Sequence, residues 1–180
     1  MQNSGPSASS IATFAGGCFW CMQPPFDQLA GVLATEVGYS GGTVPNPSYQ
    51  QICSGTTGHA EVIQVRYDAA RVSYQQLLDC FWHNIDPTVV DRQFVDTGSQ
   101  YRTVIFYHDE AQRQLAEHSK RELQQSGRYP QPIVTSIIAA MPFYPAEDYH
   151  QDYYQKCPLR YQNYHHHSGR DEFLDKVWGR

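Results

Sequence analysis

Two cysteines three positions apart are the residues best suited to chemistry in this sequence. Cys18 and Cys21 lie in Gly-Gly-Cys-Phe-Trp-Cys at positions 16 to 21, behind an apolar run and ahead of a predicted helix. A helix N-terminus carries unpaired N–H groups and partial positive charge, which lower the pKa of a thiol from its free value of about 8.5. Cys18 is therefore predicted to be a nucleophile. Cys21, one helical turn further on, could form a disulfide with it.

A glutamate beside a glycine turn is the second candidate for chemistry. Glu61 lies in Gly-His-Ala-Glu-Val at positions 58 to 62, where a strand begins. Apolar surroundings raise the pKa of a carboxyl group by desolvation, so it can donate a proton near neutral pH. Glu61 is a candidate general acid, with an exposed or salt-bridged strand residue as the alternative. Phe19 and Trp20 offer flat apolar surface beside the Cys18 sulfur.

Three consecutive histidines, His165, His166 and His167, follow Cys157 by a few residues. Adjacent histidines do not readily face one ion, and the paired spacing typical of zinc ligands is missing. We expect a solvated loop at this position and no metal site. A metal-binding Cys/His module that uses Cys157 remains the non-enzymatic alternative.

The composition indicates one globular domain. The chain has 180 residues, 41 % of them hydrophobic, and a net charge of −5, whereas nucleic-acid binding requires a basic face. Its five cysteines are an odd number, typical of reduced thiols in a cytosolic enzyme. No window approaches the roughly 20 apolar residues of a membrane span, and no secretory signal is visible. We expect a cytoplasmic protein with a disordered tail at 1–10 and a single catalytic domain at 11–180.

The periodicity of the chain predicts the elements that must position these residues. Strands are expected at 11–15, 32–39, 60–67, 102–108 and 133–140, and helices at 18–29, 73–85 and 111–125, with a short helix from Glu147 and another near Phe173. The alternation in 60–67 places Glu61 on the same face as Ile63 and Val65. The helices are too few to cover both faces of a parallel sheet. We therefore expect an α+β two-layer sandwich with a ferredoxin-like core and a long irregular C-terminal segment.

Several motifs, taken together and in order, resemble the peptide methionine sulfoxide reductase A family. The resemblance runs from about residue 11 to residue 178. The matching segments are Gly-Gly-Cys-Phe-Trp-Cys at 16–21, Gly-Tyr-Ser-Gly-Gly at 38–42, Asn-Pro-Ser-Tyr at 46–49, Cys-Ser-Gly at 53–55, Gly-His-Ala-Glu at 58–61, Phe-Trp at 81–82, Asp-Pro-Thr at 86–88, Asp96 with Gly-Ser-Gln-Tyr-Arg at 98–102, and Pro-Phe-Tyr-Pro-Ala-Glu-Asp-Tyr-His-Gln at 142–151.

The resemblance implies a role for each candidate residue. Cys18 would attack the sulfoxide sulfur, and Glu61 would donate a proton to the sulfoxide oxygen. The substrate-binding residues would be Phe19 and Trp20, which form the pocket for the S-methyl group, and Tyr49, Asp96 and Tyr101, which complete the polar side. The substrate would be methionine S-sulfoxide, free or in oxidised proteins and peptides.

The same resemblance implies how the thiol is regenerated. Attack leaves Cys18 as a sulfenic acid, which a second thiol converts to a disulfide. A thioredoxin-like protein, or dithiothreitol in vitro, would reduce that disulfide, and no bound cofactor is implied. We expect a monomer that binds neither nucleic acid nor membrane.

The resolving cysteine is where the chain departs from the family pattern. The C-terminal tail lacks the glycine-rich segment with cysteines that many members have, and the last cysteine is Cys157. We predict that Cys21 resolves Cys18, because it lies one turn away, with Cys157 as the alternative. The C-x-x-C spacing also suggests an alternative function, a general disulfide oxidoreductase of thioredoxin type.

Overall fold

A six-stranded sheet forms the centre of the protein, in a computed structural model that describes residues 9–179. The strands are β1 (Ser10–Gly16), β2 (Val32–Ser40), β3 (Ala60–Tyr67), β4 (Arg92–Gln93), β5 (Asp96–Thr97), β6 (Thr103–Tyr107), β7 (Ser136–Ala139) and β8 (Tyr144–Pro145). The helices are α1 (Phe19–Asp27), α2 (Tyr49–Cys53), α3 (Tyr74–Trp82), α4 (Glu110–Gln125), α5 (Tyr153–Lys156), α6 (Pro158–His167) and α7 (Arg170–Trp178). Strands β4 and β5 form a separate two-stranded sheet.

The order of the strands confirms the predicted α+β fold with a ferredoxin-like core. The main sheet runs β7-β6-β1-β3-β2-β8, and β6, β1, β3 and β2 pair antiparallel within it. Two β-α-β units, β1-α1-β2 and β3-α3-β6, supply these four strands. Helix α4 then leads into β7, which extends the sheet parallel to β6.

The core lies between the sheet and the helices α1, α3 and α4. Phe14 of β1 stacks on Phe26 of α1 and on Phe81 of α3, with ring centroids 5.3 and 5.1 Å apart. Leu77 and Leu78 of α3 are fully buried beside these rings. Aromatic rings buried in this way provide a large part of the hydrophobic stabilisation. The layer holds the β1–α1 turn, and hence Cys18, in place.

Helix α1 is short for a reason that was visible in the sequence. Pro24 and Pro25 lie inside it and lack the N–H groups that would bind the carbonyls of Trp20 and Cys21 in a regular helix. The helix ends at Asp27, two residues before the predicted end. Helix α3, in contrast, begins at the predicted serine, because Ser73 forms a reciprocal capping box with Gln76.

The C-terminal segment contains the predicted helix near Phe173, as α7, and two further helices, α5 and α6. His165, His166 and His167 form the last turn of α6, so the prediction of a loop at this position was wrong. Pro158 begins the helix at a position where its missing N–H costs nothing. No residue of α6 is fully buried, and the helix therefore leaves no apolar stripe that periodicity could detect.

The two ends of the chain are only partly described. A disordered tail was predicted at 1–10, and positions 1–8 of it lie outside the described residues. Ser10 belongs to β1, where it pairs with Tyr67 of β3. Within residues 9–179, no helix has both the length and the apolar character that crossing a membrane requires.

Candidate active site

Cys18 lies at the turn between β1 and α1, where two glycines allow the chain to reverse. Gly17 has a φ of 84°, and a Cβ at this position would meet the Gln93 side chain at 2.5 Å. A Cβ on Gly16 would meet the Met22 side chain at 2.6 Å. Only glycine fits both positions without displacing a neighbour. The glycine pair thus places Cys18 as the N-cap residue of α1.

The structure brings the two cysteines of the motif together as predicted. Cys18 is 6 % exposed and Cys21 is 2 % exposed. The Cys21 N–H donates to the Cys18 carbonyl over 3.1 Å, and the Cys18 thiol donates a hydrogen bond to the Cys21 sulfur. The two sulfurs are therefore adjacent and share one buried environment.

The expectation of a lowered pKa for Cys18 was wrong. Burial raises the pKa of Cys18 well above its usual value, and the neighbouring Cys21 raises it further. The pKa of Cys21 is lowered instead, first by the hydrogen bond from Cys18 and then by the positive charge of Arg170. Cys18 makes no side-chain bond to the helix N-terminus, where the Phe19 N–H is already bound to Glu61. Of the two thiols, Cys21 is therefore the one that ionises first.

Glu61 is buried beside this pair. Its side chain is 2 % exposed, on the face of β3 that points toward the helices, so the alternative of an exposed strand residue was wrong. Glu61 Oε2 accepts the Phe19 N–H over 3.1 Å. Burial raises the pKa of Glu61 well above its usual value, the charge of Cys18 adds to this, and the Phe19 bond offsets only part of it. Glu61 is thus suited to hold a proton near neutral pH.

The remaining polar candidates surround the same point. Tyr49 begins α2, Asp96 begins β5, and Tyr101 ends a 3₁₀ turn at Ser99–Tyr101. Burial raises the pKa of both tyrosines, and the charge of Glu61 raises each of them further. Burial also raises the pKa of Asp96, whose Oδ2 accepts a hydrogen bond from the Tyr164 hydroxyl. The structure therefore gathers all three around Cys18 and Glu61.

Phe19 and Trp20 lie at different depths. Phe19 is 1 % exposed and packs on Tyr39 and His150, with centroids 5.8 and 5.1 Å away. Trp20 is half-buried and stacks on Tyr153 at 3.9 Å, and its Nε1 donates to His150 Nδ1 over 3.0 Å. Of these two rings, Trp20 is therefore the one that an incoming methyl group can reach, whereas Phe19 is buried behind it.

Sequence reasoning assigned no role to four residues that line or support the site: His150, Tyr164, His165 and Arg170. His150 belongs to one of the matching segments, which marked it without giving it a function. The other three come from α6 and α7, more than 140 positions after Cys18. The one sequence feature that could have pointed to these residues is the cluster of tyrosines and histidines in a segment without helical periodicity.

Cys157 lies at the end of α6 opposite to the three histidines. It joins α5 to α6, seven residues before Tyr164, and it is half-buried. At 1.5 Å per residue, seven helical residues span roughly 10 Å. Cys157 and the histidines therefore lie at opposite ends of α6, which argues against a shared metal site. Within the described part of the chain, no group of three or more His, Cys, Asp or Glu side chains is arranged to hold a metal ion.

A comparison with known protein families decides what kind of site this is. Residues 10–180 match the family model described as peptide methionine sulfoxide reductase. The chain belongs to the peptide methionine sulfoxide reductase family. It is a methionine sulfoxide reductase in its chemistry, and the alternative of a general thioredoxin-type oxidoreductase was wrong.

Relatives of this reductase are similar over nearly its whole length. The peptide methionine sulfoxide reductase MsrA of Bacillus licheniformis is 54 % identical over 170 residues, which are 94 % of each chain. The crystal structure of reduced Mxr1 from Saccharomyces cerevisiae has a TM-score of 0.79 at 33 % identity, over 86 % of this chain and 88 % of Mxr1. Mxr1 in complex with Trx2 has a TM-score of 0.58 at 24 % identity, over 83 % of this chain and 87 % of Mxr1.

Proposed function

We propose that this reductase converts the S epimer of methionine sulfoxide, free or in proteins and peptides, to methionine with Cys18 as the nucleophile. The observation that carries the proposal is the bond between the Phe19 N–H and the buried carboxyl of Glu61. Phe19 directly follows Cys18, so this bond holds the thiol and a proton donor on the same side of one turn. Residues 11–180 act as the single catalytic domain.

The polar side of the site suits a neutral, strongly polarised oxygen. A protonated Glu61 and the hydroxyls of Tyr49 and Tyr101 can all donate hydrogen bonds without burying a further charge. The oxygen gains negative charge as the sulfur is attacked, so these donors bind the transition state more tightly than the substrate. Asp96 contributes indirectly, because it accepts the Tyr164 hydroxyl beside Cys18. Trp20 receives the methyl group.

The hydrogen bond between the two cysteines supports the ionisation of Cys18. When the Cys18 proton passes along this bond to Cys21, the negative charge moves to the Cys18 sulfur. That thiolate attacks the sulfoxide sulfur, while Glu61 protonates the oxygen. The hydroxyl then moves from the substrate sulfur to the Cys18 sulfur as the bond between the two sulfurs breaks. Methionine leaves and Cys18 becomes a sulfenic acid, so the substrate is reduced and the thiol is oxidised.

Cys21 then resolves the sulfenic acid, with Cys157 as the alternative. The contact between the Cys18 and Cys21 side chains supports Cys21, whereas Cys157 is the N-cap residue of α6, two turns before Tyr164. The Mxr1–Trx2 complex supports a thioredoxin-type protein as the reductant, with dithiothreitol as its substitute in vitro. The five free cysteines favour a reducing compartment, the cytoplasm. We further propose a monomer that needs no bound cofactor and binds no nucleic acid.

Anaerobic turnover of the two sulfoxide epimers of N-acetyl-methionine sulfoxide amide with dithiothreitol tests this function. We expect reduction of the S epimer alone and no activity in Cys18→Ser. Equal reduction of both epimers, or activity that survives Cys18→Ser, would contradict the proposal. Cys80→Ser is the matched control, because Cys80 contacts the core at α3 and lies outside the site.

A further inference from the structure

We propose that His165, held by Asp171, accepts the proton of the Cys21 thiol when Cys21 closes the disulfide onto oxidised Cys18. The inference rests on the proposed function, in which Cys21 is the resolving residue. It assigns a catalytic role to one of the three consecutive histidines, which the reductase chemistry described above leaves unused.

The geometry forms a relay of three side chains. His165 Nδ1 lies 3.5 Å from Cys21 Sγ, and His165 Nε2 lies 3.0 Å from Asp171 Oδ1. An ionised carboxylate only accepts hydrogen bonds, so the hydrogen of a neutral His165 belongs on Nε2. Nδ1 then presents its lone pair to the Cys21 thiol. The Tyr161 hydroxyl lies 3.3 Å from the same Nδ1 and competes for its lone pair, so this hydroxyl must turn away when Nδ1 accepts the thiol proton.

A buried cation lies close enough to stabilise the anion that this relay produces. Arg170 is 2 % exposed and donates to the Asn84 carbonyl, with its guanidinium 4.6 Å from the centre of the Phe94 ring. Among residues 9–179, no carboxylate lies within ion-pair distance of it. A buried positive charge without a partner favours a negative charge nearby. Its charge lowers the pKa of Cys21, although Asp96 and Asp171 oppose it.

The need for a base arises after the first step. The largest cause of the lowered pKa of Cys21 is the hydrogen bond from the Cys18 thiol. That donor is lost when Cys18 becomes a sulfenic acid, and Cys21 has by then received the Cys18 proton. The ionisable groups that face Cys21 at this stage are the oxidised Cys18, Asp96 beside β4, Tyr161, Tyr164 and His165 of α6, and Arg170 and Asp171 of α7. Among them, His165 is the group whose ring nitrogen contacts the sulfur and can accept its proton.

The proposed step balances without a further oxidant. The S–H bond of Cys21 breaks, and its proton moves to His165 Nδ1. The Cys21 sulfur attacks the Cys18 sulfur, an S–S bond forms, and the S–O bond of the sulfenic acid breaks. The departing hydroxide takes the proton back from His165 and leaves as water. Cys21 is oxidised and Cys18 is reduced to the level of the disulfide.

Rapid-quench single turnover with one equivalent of N-acetyl-methionine S-sulfoxide amide and no reductant separates the two steps. Methionine formation reports the first step, and the disulfide between Cys18 and Cys21, measured by peptide mapping, reports the second. In His165→Gln we expect methionine formation within about twofold of wild type and disulfide formation about 10²-fold slower, the usual contribution of a general base. The Cys18 sulfenic acid should then accumulate and be trapped by dimedone.

The pH profile and two further variants sharpen the test. The pH of half-maximal disulfide formation should move upward in His165→Gln, because the thiol must ionise without the imidazole. The Asp171 side chain is 59 % exposed, so its interaction with His165 is weakened by solvent. Asp171→Asn should therefore slow only the disulfide step, and by less than His165→Gln. His166→Gln, exposed on the same helix turn, should leave both steps unchanged.

The possible outcomes distinguish a failure of this inference from a failure of the proposed function on which it rests. Disulfide formation at the wild-type rate and pH in His165→Gln overturns the inference and leaves the reductase function intact. If His165→Gln slows methionine formation as much as disulfide formation, the inference is also overturned, because the role of His165 is then not confined to Cys21. A wild-type disulfide between Cys18 and Cys157 overturns both the choice of Cys21 and the role of His165.

Discussion

The backbone N–H of Phe19 donates to the buried carboxyl of Glu61 over 3.1 Å, and this bond joins the turn that carries the nucleophile to the strand that carries the acid. The two residues come from β3 and the first turn of α1, 42 positions apart. Because the bond involves a backbone donor, changes of the Phe19 side chain leave it available. The position of the acid relative to Cys18 is therefore a property of the fold.

Replacement of the proposed acid should affect the rate far more than the fold. Glu61→Gln keeps an oxygen to accept the Phe19 N–H and loses the ionisable proton. We expect kcat/KM for the S epimer to fall by about 10² to 10⁴. Steady-state turnover with dithiothreitol measures this. Glu36→Gln, an exposed glutamate on β2, is the control, and an unchanged rate in Glu61→Gln would exclude proton donation by Glu61.

The same substitution should change how stability depends on pH. The pKa of Glu61 is raised in the folded protein, so the folded state binds the proton more tightly than the unfolded state. This contribution to stability is complete below the ordinary carboxyl pKa and is lost as the pH rises toward the folded pKa, by up to about 1.4 kcal/mol per pH unit. Urea unfolding at pH 5 and pH 8 should show that Glu61→Gln gains stability over wild type at the higher pH. A constant difference would contradict the raised pKa.

The two candidate resolving cysteines should behave differently. Cys21→Ser should still release about one equivalent of methionine per enzyme and then stop turning over with thioredoxin, because the sulfenic acid has no partner thiol. Cys157→Ser should sustain turnover. Quantified methionine in the presence and absence of reductant distinguishes the variants. The reverse pattern would assign the resolving role to Cys157.

Trp20 should matter for substrate binding. Trp20→Ala removes the reachable apolar surface beside Cys18 and the hydrogen bond to His150. We expect kcat/KM to fall about 10-fold to 100-fold, as expected for a site that loses about 1.4 to 3 kcal/mol of contact with the substrate. Steady-state kinetics on the S epimer measure the change. Leu159→Ala, at an 81 % exposed position of α6, should have no effect.

The turn before Cys18 should tolerate no side chain on Gly17. Gly17→Ala adds a Cβ that meets Gln93 at 2.5 Å, at a φ of 84°. Gly127 has a φ of 68° and nothing within 4 Å of such a Cβ. We expect Gly127→Ala to cost about 1 kcal/mol for the backbone alone, and Gly17→Ala to cost clearly more because the contact adds to it. Urea unfolding of the two variants measures the difference, and equal losses would contradict it.

Local patterns were enough to predict the redox pair, the acid and most of the strands. The spacing of Cys18, the N-cap residue, and Cys21, in the first turn of α1, is a local feature that places their side chains close together. Strand alternation places Glu61 on the face that also carries Ile63 and Val65, and that face proves to be buried. Ser73 begins α3 because a capping box is a contact between residues only three positions apart.

Tertiary structure alone decided in which direction each thiol pKa is shifted and which residues cause the shift. The pKa of Cys18 depends on burial and on an N–H that Glu61 occupies, and neither can be derived from the Gly-Gly-Cys-Phe-Trp-Cys segment itself. Tyr164, His165 and Arg170 reach the cysteines only because α6 and α7 pack over the N-terminal end of α1. Contacts across more than 140 residues leave no periodic trace in the sequence, since each one depends on how separate elements pack rather than on the spacing within one of them.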